Sequence, residues 1–238
     1  MGEDLRFGKR TKPEQSGKSG RRRFKKRYWL LVDLAVVIVI FALLLYKPSR
    51  YDPLEVAYDG KVSPYLTNEL LPQLYNGAQR QEPFDLIVTQ KGINDVIVRS
   101  EWPKESQGTI FSAPEVFFAP DKIILMGKAT VGGVDFVITI VGEPSIDQKG
   151  LLNIPIVKVK VGAMNITPLA KIVAKRMYRN RIAITDADTE NIETKIAASL
   201  LNDEPFKPIF PVEDEKVRVT KVTLEQEKLT LHLVPVSD

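Results

Sequence analysis

Hydrophobic positions along this chain fall into one long unbroken block and, further on, a series of short periodic runs. The block is residues 28–46, nineteen positions that are apolar throughout except for Asp33. At the helical rise it spans roughly 28 Å, close to the hydrocarbon thickness of a bilayer. A helix buried in a globular core is rarely apolar all round for that length, so the block reads as a transmembrane helix. A cleavable signal peptide is the other reading of such a block. This one is long for a signal, and Leu43-Leu44-Leu45-Tyr46-Lys47 lacks the small residues at alternate positions that a signal peptidase needs. Asp33 lies six residues past Arg27, near enough to the interface to be solvated there, and needs no function.

Behind the block, residues 47–82 read as a juxtamembrane tether with one short helix. Ser63-Pro64 has the form of an N-cap followed by proline at the first helical position, and Leu66, Leu70 and Leu74 recur at helical spacing. Pro72 is expected to bend or end that helix, and Asn76-Gly77 to stop it. Regular alternation begins at Pro83. Phe84, Leu86 and Val88 share one face of a strand, and Thr89 is placed to cap a helix carrying Ile93, Val96 and Ile97. A polar loop covers 102–108. Four strands follow at 115–119, 122–131, 134–141 and 151–161, punctuated by Pro120-Asp121, Gly132-Gly133 and Asp147-Gln148-Lys149-Gly150. Connections this short demand antiparallel neighbours.

Thr167-Pro168 opens a second helix with Leu169, Ile172, Val173 and Met177 on one face, and Thr189 a third with Ile192, Ile196 and Leu200. Residues 216–224 and 228–236 alternate as a terminal hairpin about Glu225-Gln226-Glu227. Strands segregate from helices, which gives an α+β domain over 83–238: a long antiparallel sheet with two or three helices against one face. One feature resists that plan. Ile123-Ile124-Leu125-Met126 and Phe136-Val137-Ile138 are apolar on both sides, so both sheet faces want cover. Helices on one face with a partner or the bilayer on the other, a curved sheet enclosing an apolar groove, and a solid core around a buried central hairpin all satisfy it.

Charge sharpens the division of the chain. Residues 1–27 hold eleven Lys or Arg against three acids, a net +8, which leaves −4 for the rest of a chain whose total is +4. With almost nothing apolar, this tail reads as disordered. By the positive-inside rule it is cytoplasmic and the domain beyond the block extracytoplasmic. That makes a single-pass membrane protein with a cytoplasmic N-terminus and an extracytoplasmic C-terminal domain. The run Arg21-Arg22-Arg23-Phe24-Lys25-Lys26-Arg27 is explained by topology and anionic headgroups, so no nucleic acid is expected as a partner. The chain has no cysteine, hence no disulfide framework, thiolate metal site or cysteine nucleophile.

Inventory argues against an enzyme. The sole histidine, His232, stands mid-strand between Leu231 and Leu233 with no nearby acid or nucleophile motif. Asp186, Asp188, Glu190 and Glu193 lack the glycine and spacing of a calcium loop, and acids at a helix start are favoured by its dipole. Gly132-Gly133 has no following Lys-Ser or Lys-Thr and reads as a turn. No catalytic residue, metal site or cofactor is expected. The second helix carries Lys171, Lys175, Arg176, Arg179 and Arg181 with no acid among them. Such a basic amphipathic helix suits anionic headgroups, and pairing with the acidic start of the third helix suits it equally.

The order of these motifs resembles YpmS-like membrane-anchored bacterial proteins and, more distantly, LmeA-type proteins of the tubular lipid-binding (TULIP) superfamily. The pieces that carry the resemblance are the basic tail and single anchor, the unit Phe84-Asp85-Leu86-Ile87-Val88-Thr89-Gln90-Lys91-Gly92-Ile93-Asn94-Asp95-Val96-Ile97, and the strand pair over 122–141. Ile154-Pro155-Ile156-Val157-Lys158-Val159-Lys160-Val161-Gly162 leading to Ile166-Thr167-Pro168-Leu169, and the closing Val217-Arg218-Val219-Thr220-Lys221-Val222-Thr223-Leu224, complete it over residues 83–236. The resemblance implies a curved sheet wrapped along a helix, with an apolar groove suited to acyl chains. The expected function is membrane-anchored lipid binding or transfer. Phe118, Ile123, Leu125, Phe136, Ile138, Ile140, Ile172 and Met177 are expected to line the groove, and the five basic residues of the second helix to meet headgroups. Membrane lipids are the expected partners. The alternative is a non-catalytic envelope scaffold that recruits another protein through a sheet edge or apolar patch.

Overall fold

The structure, a computed structural model, describes residues 20–53, 60–182 and 192–236, with side chains from residue 28 onward apart from 177–182. Two compact units divide the chain, Met1–Ala42 and Leu43–Asp238. The first contains most of helix α1 (Gly20–Leu44), on which every side chain from 28 to 42 is exposed. Among the described residues no helix is long and apolar enough to cross a membrane. The side chains of α1 are described over 28–44, 17 positions of the nineteen-residue block.

The second unit is α+β. Its chain turns helical at Pro64, passes through a π-helical turn at Leu66–Leu70 and continues as α2 (Leu71–Gln79). The wide turn explains how the helix passes Pro72, expected to bend or end it, without ending there. Pro72 has no N–H to donate to the residue four back, and the adjacent Leu71 N–H instead bonds five back to the Leu66 carbonyl. Nor does Gly77 stop it: a Cβ there would lie 2.4 Å from the Phe84 ring, so this glycine admits a close approach inside the helix.

Next come β1 (Phe84–Thr89) and α3 (Gln90–Val98), joined as the sequence indicates, with the Thr89 side chain accepting from Gly92 N–H at 3.2 Å. A small hairpin starts in the expected polar loop and runs past its end, β2 (Lys104–Ser106) and β3 (Thr109–Phe111). The central meander is β4 (Glu115–Ala119), β5 (Lys122–Val131) and β6 (Val134–Gly142). Val131 pairs with Val134 across Gly132 and Gly133, both at positive φ, the two-residue turn that a right-twisted hairpin favours.

The strand expected over 151–161 is split. Pro155 has no N–H to extend a ladder, so β8 (Leu152–Asn153) pairs aside with β7 (Ser145–Ile146), and β9 (Ile156–Val161) joins β6. After β10 (Met164–Asn165) come α4 (Thr167–Ile182) and α5 (Ile192–Asn202), then β11 (Ile209–Val212), β12 (Glu215–Glu225) and β13 (Lys228–Pro235). Thr189, expected to start the third helix, lies outside the described residues.

Instead of one long sheet there are two larger ones. The four-stranded sheet runs β1-β13-β12-β11, and the seven-stranded one runs β10-β9-β6-β5-β3-β2 with β4 also on β5. All named pairings are antiparallel. The main core lies where the four-stranded sheet meets α2, α3 and β4, around Leu86, Val116, Phe118, Val217, Val219 and Leu233.

Register resolves the doubled hydrophobicity of the central hairpin. Residues directly opposite share a face, so Ile123 and Leu125 join Phe118 on the side of the main core, while Ile124, Met126 and Val137 lie on the other. That second face is covered by the chain's own Tyr51, 2 % exposed and packed with Met126 and Val137. Within residues 47–82, Tyr51, Ser63 and Tyr65 are buried in the unit.

Candidate functional site

Six of the expected groove residues, Phe118, Ile123, Leu125, Phe136, Ile138 and Ile140, share one face of the seven-stranded sheet, as the pairs Phe118↔Ile123, Leu125↔Ile140, Gly127↔Ile138 and Ala129↔Phe136 require. Their surroundings then diverge. Phe118 is 3 % exposed in the main core, and Ile123 and Leu125 pack against that core. That end of the face is filled. Phe136, Ile138 and Ile140 are half-buried, and Ile140 borders an open cleft.

The cleft, of about 160 Å³, lies between β6, β9, α4 and α5 and is lined by Ile140, Ile156, Val159, Ala170, Ala174, Leu200 and Leu201, with Lys171, Lys175 and Asp203 as its charged members. Polar anchors hold its walls. At the start of α4, Thr167 Oγ1 accepts from Val159 N–H at 2.9 Å and Ile166 N–H donates to the Val159 carbonyl at 2.9 Å, pinning the helix to the middle of β9. On α5 the fully buried Ser199 accepts from Ile154 N–H at 2.8 Å and donates to Asn153 Oδ1 at 3.0 Å. An apolar slot with cations at its border suits a chain-like apolar ligand with an anionic end. Its volume is below the roughly 300 Å³ at which pockets for whole drug-sized ligands begin, so it fits a segment of chain.

Pinned this way, the described part of α4 turns Ala170 and Ala174 inward and its large apolar residues outward. Ala170 and Ala174 face the cleft, whereas Leu169, Ile172 and Val173 are 59, 67 and 47 % exposed. Ile172 is thus on the outer surface, away from the cleft. Lys171, Lys175 and Arg176 are also exposed. The side chains of Met177, Arg179 and Arg181 lie outside the described residues, as do Asp186, Asp188 and Glu190.

Two larger hollows lie elsewhere in the unit. One, of about 410 Å³, is bounded by Asp52, Gln90, Lys91, Asn94, Pro114, Glu115 and Glu227. Glu115 accepts from Asp52 N–H at 3.4 Å, and burial raises its carboxyl above the usual range. Asn94 is consumed structurally, donating to the Val116 carbonyl at 2.8 Å and accepting from Val116 N–H at 2.7 Å. The other, of about 390 Å³, runs along the second face of the seven-stranded sheet beside residues 46–50.

His232 has an acid after all, because β1 pairs with β13 and sets Asp85 opposite it, Nδ1 to Oδ1 at 2.7 Å. Both groups are well exposed. The neighbouring hydroxyl, Thr220 Oγ1, donates to the His232 carbonyl at 3.2 Å and not to the ring, and among the described residues no cluster of three potential metal ligands occurs. Sequence reading missed Ile156, Val159, Ala170, Ala174, Leu200, Leu201 and Asp203 as lining residues. The small-residue spacing of Ala170 and Ala174 on α4 was the available signal. Comparison with known protein families and with curated proteins finds no match for this chain.

Proposed function

We propose that this chain is a single-pass membrane protein whose second unit is extracytoplasmic and binds lipid, taking part of an acyl chain into the cleft between α4, α5 and the sheet. The observation that carries the reading is the cleft itself: seven apolar or small side chains form its lining, and Lys171 and Lys175 border it. Each methylene buried there contributes about 0.8 kcal/mol before ordering costs. The outward stripe of Leu169, Ile172 and Val173 supports the same reading, since a bilayer surface beside the cleft gives an exposed apolar face a solvent. For α1, the described side chains fall short of a span by themselves; in the sequence the apolar block continues through Leu45 and Tyr46 behind a basic flank, and that continuity supports the span. A sheet curved around a lipid-filled groove, as in the tubular lipid-binding superfamily, belongs to this proposal.

The test is native mass spectrometry of the full chain in mild detergent, wild type beside Ala174→Trp. The indole fills the cleft from a position that opens into it, so co-purified lipid is expected to fall severalfold while the melting temperature holds. A lipid-free wild type sinks the proposal. The scaffold reading then takes its place, favoured by the exposed Ile110, Phe111, Val131 and Val134 gathered at the β3 and β5–β6 end of the sheet.

A further inference from the structure

The hollow on the second sheet face differs from the acyl cleft in the charge of its border. It is lined by Tyr46, Pro48, Ser49, Arg50, Ile124, Met126, Thr139, Val141, Lys158, Lys160, Gly162 and Ala163, with three cations and no carboxylate. The sequence Val157-Lys158-Val159-Lys160-Val161 dictates this. Alternate residues of a strand share a face, and pairing with Val141 and Thr139 puts Lys158 and Lys160 on the side away from the main core, about 7 Å apart along the strand. Arg50 comes to them from a segment fixed at both ends. At one end Ala163 N–H donates to the Leu43 carbonyl at 2.8 Å. At the other, Tyr51 is buried against Met126 and Val137 and closes a turn, its N–H on the Pro48 carbonyl at 3.1 Å.

Among the described residues none of the three cations is in a salt bridge with a carboxylate. Three like charges around one hollow repel, and a polyanionic oxygen group relieves that repulsion while accepting from their N–H donors. Ser49 and Tyr46 add hydroxyls, and Ile124, Met126 and Val141 supply an apolar floor. We propose that this hollow is a phosphate-binding site, and that its ligand is the headgroup of an anionic phospholipid. The lipid source rests on the reading of α1 as a membrane span: Tyr46 closes the apolar block and Arg50 follows it by four residues, the sequence spacing at which a juxtamembrane cation meets anionic headgroups.

The experiment uses the full chain in nanodiscs of phosphatidylcholine with an increasing fraction of phosphatidylglycerol, read by native mass spectrometry of retained lipid, with inorganic phosphate as a soluble competitor. Four chains are compared: wild type, the triple variant Arg50→Gln/Lys158→Gln/Lys160→Gln, its charge-keeping counterpart, and Lys171→Gln/Lys175→Gln at the acyl cleft. Wild type is expected to prefer phosphatidylglycerol. The triple variant should lose that preference by roughly a hundredfold, at a factor of about five per basic residue near an anionic surface. Arg50→Lys/Lys158→Arg/Lys160→Arg, which keeps the charge, should restore most of it. Competition by millimolar phosphate with no phosphatidylglycerol preference would mean that the site takes free phosphate, overturning the lipid assignment. Preference lost in the Lys171/Lys175 variant but kept in the triple variant overturns the site and moves the anion to the acyl cleft. Lipid retained without headgroup preference overturns this inference alone, whereas no lipid retained at all sinks the lipid-binding function as well.

Discussion

Asp95 and Glu115 are carboxylates whose surroundings push them in opposite directions. The Ser63 hydroxyl donates to Asp95, and Arg99 Nε donates to it at 2.9 Å, so its carboxyl is held below the usual range, chiefly by Ser63. The unfolded chain then binds more protons than the folded one, and the stability this contributes is complete above the ordinary carboxylate range and lost as pH falls through the lowered value. Burial raises Glu115 instead, so the folded chain holds the extra proton and stability falls as pH rises through the window between the ordinary and the raised value. In melting curves against pH, Ser63→Ala is expected to flatten the acid limb, and Glu115→Gln to stabilise the protein at neutral pH with little effect at pH 4. A Glu115→Gln chain that melts lower at neutral pH would refute the assigned sign. Tyr51 is a third case. Its hydroxyl is buried without a hydrogen-bond partner, the Lys128 backbone lying near without forming one, and burial raises its pKa. Tyr51→Phe removes that orphaned group and is expected to stabilise by about 1 kcal/mol in denaturant unfolding.

Local rules carried the sequence reading as far as single elements go. Thr89 before an amphipathic stretch, Gly132-Gly133 between alternating runs and Pro168 behind Thr167 each state a boundary that the backbone obeys. The elements that escaped are short or depend on distant partners. β2 and β3 have three residues apiece and β7 and β8 two, too few to show a period, and the π turn before Pro72 spans only five residues. The inward Ala170 and Ala174 of α4 were obscured because the period of its large apolar residues suggested the opposite face. One turn here is testable. Gly162 sits at φ +58°, and a Cβ on it would lie 2.3 Å from the Leu43 carbonyl oxygen. Gly162→Ala combines left-handed strain with a backbone collision, so a loss of about 1–3 kcal/mol is expected, with faster hydrogen exchange at Ala163. Unchanged exchange at Ala163 would show that the Leu43 contact does not hold that turn.

At the scale of the whole unit, the decisive facts are long-range pairings that no local pattern contains. β1 and β13 begin and end the regular strands, yet they pair along their length, and this closes the four-stranded sheet and brings Asp85 to His232. In the longer strands the alternation was legible and the partner was not, because period fixes which face is apolar and says nothing about what covers it. The central hairpin shows the consequence. Its two apolar faces were consistent with a bilayer, a groove or a core, and the second cover proves to be a segment 70 or more residues earlier in the chain, residue 51 against residues 126 and 137. If residues 43–51 are part of the fold, removing them must uncover Met126, Val137 and Ile124 and delete a buried aromatic ring. A chain beginning at residue 53 is therefore expected to unfold at lower denaturant than one beginning at residue 43, by about 3–5 kcal/mol, the usual cost of losing a buried large aromatic side chain. Tyr51→Ala in the longer chain should reproduce most of that loss. Equal midpoints for the two chains would return residues 43–51 to the status of a tether and, with them, remove the fixed position of Arg50 on which the phosphate site depends.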